Sequence, residues 1–453
     1  MSDLLFPPQS APRQRWQWFG PTIALCALLA ATMVLTLSST YEYSLGWTGL
    51  VVGFVIALYV GRQHPSIAVV LTVGFLIRAL LALTHVHVAP VPGADADAIR
   101  FERIAGQWSE LGLVGAFEQF QTGAYLISWI ASILYAATDQ SPLMVQALNV
   151  ILGTLTILYV FRTSQLLWGA RVAQRAAWLA CLFPTLILYS AIIMREAPIA
   201  FLVSVAAFNI VIWTKCHHNT AFIKATAAFG VAALFHTGMF FALPAMFLIV
   251  LIRMFYSIHA NRPEGFLKFF RASLVVAACV AAIATTGYGL EKLGGSLTDF
   301  EVDAVRDYQQ IAARGGAAYL EGIAVSGPAD FVWQTPVRLV FFLFSPFVWM
   351  IRTTGHLVGL LDATLFLAML ALLYYCRDAI RRSLAARRLL VALTAIAIVF
   401  SLGVSNFGTA VRHRAKIAPI VICLIARFPS ARPVLDRRPV EPGPDATGQA
   451  CQD

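Results

Sequence analysis

The stretch VPGADADAIRFERIA, residues 91–105, follows an apolar run and carries two aspartates two positions apart, Asp95 and Asp97. Paired carboxylates can take a proton from an attacking hydroxyl or hold a divalent cation. Far downstream, SNFGTAVRHRAKIAPI brings four cationic or imidazole side chains together: Arg412, His413, Arg414 and Lys416. Arginine presents a planar fork of donors that matches phosphate oxygens, and fixed cations stabilise charge that develops on a leaving phosphate. Between them, IIMREAPIAF places Arg195 and Glu196 at the junction of two apolar runs, and ALFHTGMFF places His236 between two more. Ionisable groups at membrane depth are expensive, and are candidates for function on that ground.

Each has a plainer alternative. Asp97 could cap a helix beginning near Ile99. Arg195 and Glu196 could pair with each other, and His236 could serve only as a structural hydrogen-bonding group. His85 and His87 together do not make a metal site. If a divalent cation such as Mg or Mn is bound, Asp95 and Asp97 are the expected ligands.

The rest of the chain must position these groups. Hydrophobic residues make up 59% of its 453 residues and charged residues only 12%, against about 25% charged in soluble proteins. The expected class is an all-α polytopic membrane protein. About 20 apolar residues cross the hydrocarbon core. Candidate spans lie near 20–39, 46–61, 66–84, 142–161, 173–193, 197–213, 222–235, 238–254, 270–290, 357–375, 388–404 and 415–427, about twelve in all. The net charge of +10 comes in short clusters beside these runs and does not indicate a nucleic-acid partner. Arg13 and Arg15, Arg62, Arg162 with Arg171 and Arg175, Lys215 with Lys224, and Arg377 with Arg381 and Arg382 all fall on one side. The positive-inside rule makes that side cytoplasmic, with both termini inside. The run 20–39 is expected to remain as an uncleaved first helix. The seven cysteines are scattered without a CxxC, which argues against a disulfide framework or a zinc site.

Two apolar runs, 123–137 and 336–350, break this alternation if counted as crossings, and are expected to lie at the outer interface. Long outer loops then cover about residues 85–141 and 291–335. The second contains an expected amphipathic helix ended by Gly315 and Gly316. The transmembrane domain is expected over 1–428, followed by a disordered cytoplasmic tail over 429–453. Carboxylates and cations thus share the expected outer face. That arrangement suits chemistry on a lipid-linked phosphate more than transport, for which charges near the bilayer midplane are expected.

Three stretches carry a family resemblance. Asp97, Phe101 and Ala105 follow a pattern of Asp, three residues, an aromatic, three residues, Ala. The run from LNVILGTL to IIMREAPIAF is similar to a succession of span, cytoplasmic turn, proline-containing span and outer acidic residue, with Glu196 in the last place. GTAVRHRAKIAPI is similar to a C-terminal R-x-R-x-x-x-x-P element. In these the chain resembles the GT-C superfamily of integral-membrane glycosyltransferases, in its bacterial family-39-like branch. The resemblance implies inverting transfer of a hexosyl or pentosyl group from a polyprenyl-phosphate-linked donor to a glycan or lipid acceptor, at the outer face of the inner membrane. It also implies a catalytic loop aspartate, Asp97 with Asp95 second, and phosphate held by Arg412, His413, Arg414 and Lys416, with Arg195, Glu196 and His236 lining the pocket. The short loop motif with an arginine-rich C-terminal element resembles O-antigen and exopolysaccharide polymerases as well. A flippase or transporter of an anionic lipid or sugar is the non-enzymatic alternative.

Overall fold

The computed structural model describes residues 41–94, 96–216, 218–259, 306–307, 309–310, 316–323, 325–327, 329–353 and 355–428. The expected spans at 20–39 and 270–290, Asp95, Gly315, most of the amphipathic segment before it and the 429–453 tail lie outside those residues. Among the described residues the fold is helical, and the single β-bridge, Ala318 with Asn406, belongs to no strand. Among the described residues six helices are long and apolar enough to cross a membrane, or seven if one bent pair is a single span. The expected 222–235 and 238–254 crossings correspond to shorter apolar helices, as does 123–137.

The expected span over 173–193 is broken. Its two parts, Ala170–Leu182 and Pro184–Ser190, meet at 56°. Pro184 has no N–H to continue the ladder and drives Phe183 out of helical geometry, to φ −69° and ψ 117°. The break frees carbonyls in a place where water cannot satisfy them. Arg78, buried in the preceding Pro65–His87 span, donates to Ala180 and Cys181, both at 3.1 Å, and to Gly74 at 3.0 Å. Gly153 lets the long Pro142–Trp168 helix approach this segment, since a Cβ there would stand 2.2 Å from the Ser190 hydroxyl.

Two helices form the middle of the bundle. Glu196–Cys216 packs on Pro142–Trp168, Asn219–Phe235 and Phe407–Ile425. Phe407–Ile425, the cation helix, begins eight residues earlier than the expected span at 415. Asn406 accounts for that start: its side-chain oxygen accepts from the Gly408 and Thr409 amides, at 2.8 and 3.4 Å, and caps the helix. The basic cluster therefore lies within a continuous helix rather than at a junction.

The Asp97 helix, Ala96–Ser109, lies against Leu126–Ala137. Ala98, Phe101 and Ala105 form its buried stripe, at helical spacing. They pack with Tyr189, Ile192, Ile193 and Met194 beside the broken span and with Val411 and Ala415 of the cation helix. This apolar cluster is what brings residues 97 and 412 to one place.

Candidate functional site

Asp97 is the second residue of its helix, so it does not act as an N-cap before Ile99. Its carboxylate accepts from the guanidinium of Arg412, 315 positions away. The pair is half-open, with side-chain exposures of 28% for Arg412 and 40% for Asp97. One turn further along, Lys416 pairs with Glu196 at 3.4 Å, and both are buried. Arg412 and Lys416 are four residues apart, and so share one helix face with their two acids. Glu196 does not pair with its neighbour; Arg195 donates instead to the Phe235 carbonyl at 3.0 Å.

Lys416 also lies 3.3 Å from Nδ1 of His413 and 5.5 Å from the Phe400 ring centroid. The His413 ring stands edge-to-face with His236 at 4.6 Å. His236 Nδ1 accepts from the Gly238 amide, the structural role weighed for it, and its ring faces Phe400. Together these groups form a buried polar seam that begins at the half-open pair.

Arg414 points elsewhere. Its Nε pairs with Asp362 at 2.6 Å, and its Nη1 donates to the carbonyls of Phe342 and Ser345 at 2.9 and 2.7 Å. Thr185, just after the break, donates to the same Asp362 at 3.1 Å. Both members of this ion pair are buried. Arg414 thus ties the cation helix to Gly355–Tyr375, to the broken span and to the end of Asp330–Phe344. Of the four phosphate-binding candidates, Arg412 faces the opening, His413 and Lys416 lie behind it, and Arg414 holds the fold.

Asp362, Arg78 and Arg338 carry parts of this arrangement that sequence reasoning passed over. Each is a single charge inside an apolar run, the signal that would have found it. Arg338 binds Gln334 at 3.0 Å, Ser405 at 3.2 Å and Gln309 at 3.0 Å, which anchors the segment preceding the cation helix.

A small void, with room for about one water, lies beneath Glu196 and is lined by Thr156, Thr185, Tyr189 and Ser190. The second Glu196 oxygen, Oε2, is buried and has no partner among the described residues. On the exposed side, burial holds the Glu102 carboxyl above the usual carboxylate range, with a hydrogen bond from Gln140 opposing the shift. The expected cation ligands reduce to Asp97 among the described residues, where no three His, Cys, Asp or Glu side chains gather. His85 Nδ1 accepts from the Val91 amide at 3.3 Å.

No family model matches the sequence, and no curated protein matches it. Two solved structures resemble the fold, both of ArnT from Cupriavidus metallidurans. For the form bound to undecaprenyl phosphate the identity is 15%, the TM-score 0.45, and the overlap 86% of this chain and 62% of that one. For the apo form the values are 14%, 0.33, 80% and 78%. The overlap is loose. This chain spans under two thirds of the length of the lipid-bound ArnT chain.

The opposite end of the bundle is basic. Glu196 opens a helix of 21 residues that ends beside Lys215, which places the two ends about 31 Å apart, the thickness of a bilayer core. Around the Lys215 end, Arg388 lies over Trp213 and bonds Thr214, Arg162 lies over Phe208, and Arg427 lies over Trp168. Asp97 and Glu196 with their cation partners lie toward one end, and Arg388 and Arg427, set against tryptophan rings, lie toward the other.

Proposed function

We propose that this chain is a membrane glycosyltransferase of the GT-C kind, which transfers a sugar from a polyprenyl-phosphate-linked donor to a glycan or lipid-linked acceptor. The observation that carries this reading is the meeting of Asp97 with Arg412 at a half-open position, above an otherwise buried seam of charge. A carboxylate and a guanidinium in one place match the two needs of the reaction. Asp97 accepts the proton of the acceptor hydroxyl as its oxygen forms a bond to the anomeric carbon. The bond from that carbon to the phosphate oxygen breaks, and the charge left on phosphate is met by Arg412. Lys416 lies behind with His413 against its ammonium group, and Arg195, Glu196 and His236 form the wall. Attack opposite the leaving phosphate inverts the anomeric centre.

The basic end, set against the acid-bearing end, supports an orientation with the site on the non-cytoplasmic face of the inner membrane and both termini in the cytoplasm. The location of the site at a helix end, rather than at mid-membrane, favours chemistry over transport.

The test is turnover by the purified protein in lipid nanodiscs, with polyprenyl-phosphate sugars as donors and lipid-linked glycans as acceptors. Wild type should release polyprenyl phosphate, and Asp97→Asn should lower the rate by at least about a hundredfold while the protein remains folded. Full activity in Asp97→Asn would remove the base. A ladder of repeat units in the product would make the reaction a polymerisation, and a single added sugar a simple transfer.

A further inference from the structure

The two groups that the proposed reaction needs are bonded to each other. The Asp97 oxygen that accepts from Arg412 is a weaker base while it does so, and the Nη1 hydrogen that donates to Asp97 is not available to phosphate. A two-pronged grip on phosphate from the Nη1–Nη2 edge of Arg412 draws on the nitrogen that Asp97 now engages. We propose that Asp97 is a built-in competitor for the anion site of Arg412, so that the anionic donor must displace Asp97 before Asp97 can act as base. The inference rests on the reading given above and adds an order of events to it: the phosphate-bearing donor enters first, and its arrival frees the carboxylate for the acceptor.

Three observations support exchange at this pair rather than permanent closure. It is the partly open pair on its helix, whereas Lys416 and Glu196 one turn away are buried, so an incoming anion can reach the guanidinium without unfolding the bundle. Asp97 lies in the first turn of a short helix that is held independently of it, by the packing of Ala98, Phe101 and Ala105 and by the bond from Ser128 to the Phe101 carbonyl, so the carboxylate can swing away while the helix stays packed. Glu196, paired with Lys416 one turn along the same helix, leaves a second carboxylate near Arg412 when Asp97 departs. An exposed ion pair of this type is weak, as a contact that a substrate must open should be.

The experiment measures binding of undecaprenyl phosphate to full-length protein in nanodiscs, without acceptor. A competitor predicts that Asp97→Asn binds about three- to tenfold more tightly than wild type, because the fraction of protein with a free site rises. Simple repulsion between Asp97 and phosphate would also tighten binding, and a double-mutant cycle separates the two. If Asp97 acts through Arg412, the gain should vanish when Asp97→Asn is made in an Arg412→Gln background. A gain that persists there, or wild-type binding that Asp97→Asn leaves unchanged or weakens, would overturn the competitor while the proposed function stands. Absence of binding by wild type and both variants, all folded, would overturn the proposed function and this inference together.

Discussion

The cation helix makes two kinds of ion pair within two turns. Arg412 and Asp97 meet where water can reach both, whereas Arg414 with Asp362 and Lys416 with Glu196 are sealed. The difference lies in what surrounds the charges. Arg414 makes three bonds and is fixed by carbonyls from a third segment. Arg412 has one acid partner at the rim of the bundle. A sealed pair is strongly coupled to the fold, because removal of one partner strands the other in a medium that cannot solvate it. A rim pair contributes little to stability and can be exchanged for a ligand. Side chains adjacent in sequence thus divide between sealed contacts that hold the bundle and one at the rim that solvent reaches.

The sharpest way to break this division is Arg414→Ala. It should destabilise the protein by about 3–5 kcal/mol by leaving Asp362 unpaired, read as loss of a monodisperse peak and a lower Tm in detergent. Stable, inactive Arg414→Ala would instead place Arg414 in the reaction. The next effect is Lys416→Met, which should cost about 3 kcal/mol by stranding Glu196, with most of it recovered in the Lys416→Met, Glu196→Gln double variant. Failure of that rescue in thermal unfolding would show that the pair is not a closed unit. Asp97→Asn and Arg412→Gln should each shift stability by no more than about 1 kcal/mol, so their loss of turnover would not be loss of fold.

The smallest effect concerns pH. Because burial raises the Glu102 carboxyl, the folded form holds that proton to higher pH than the unfolded form does. Its contribution is present in full below the usual carboxylate range and declines as pH rises through the folded value. Glu102→Gln should remove that slope from a plot of Tm against pH, and an unchanged slope would exclude Glu102 as its source.

Much of this was legible in the sequence. Composition indicated helices in a membrane, and charges that broke the side rule picked out Asp97, Glu196, His236 and the cation cluster. Their convergence follows from the apolar stripe Ala98–Phe101–Ala105, which the Asp, aromatic, Ala pattern partly recorded. The division of labour among Arg412, Arg414 and Lys416 was not legible. It depends on which helix each residue faces, and the partner of Arg414 is one aspartate within a run otherwise indistinguishable from lipid-facing sequence. The break at Pro184 was missed because the apolar run continues through it; the 56° bend and the carbonyl bonds of Arg78 mark where the helix stops.

That break bears on biogenesis. Arg78 enters the bilayer with its own helix, more than a hundred residues before the carbonyls that receive it have been synthesised. An arginine near the centre of a lone helix resists insertion by about 2.5–3.5 kcal/mol. The early helices therefore depend on a later one to complete their integration, and a nascent chain stalled before residue 180 would hold an unfinished, easily extracted segment.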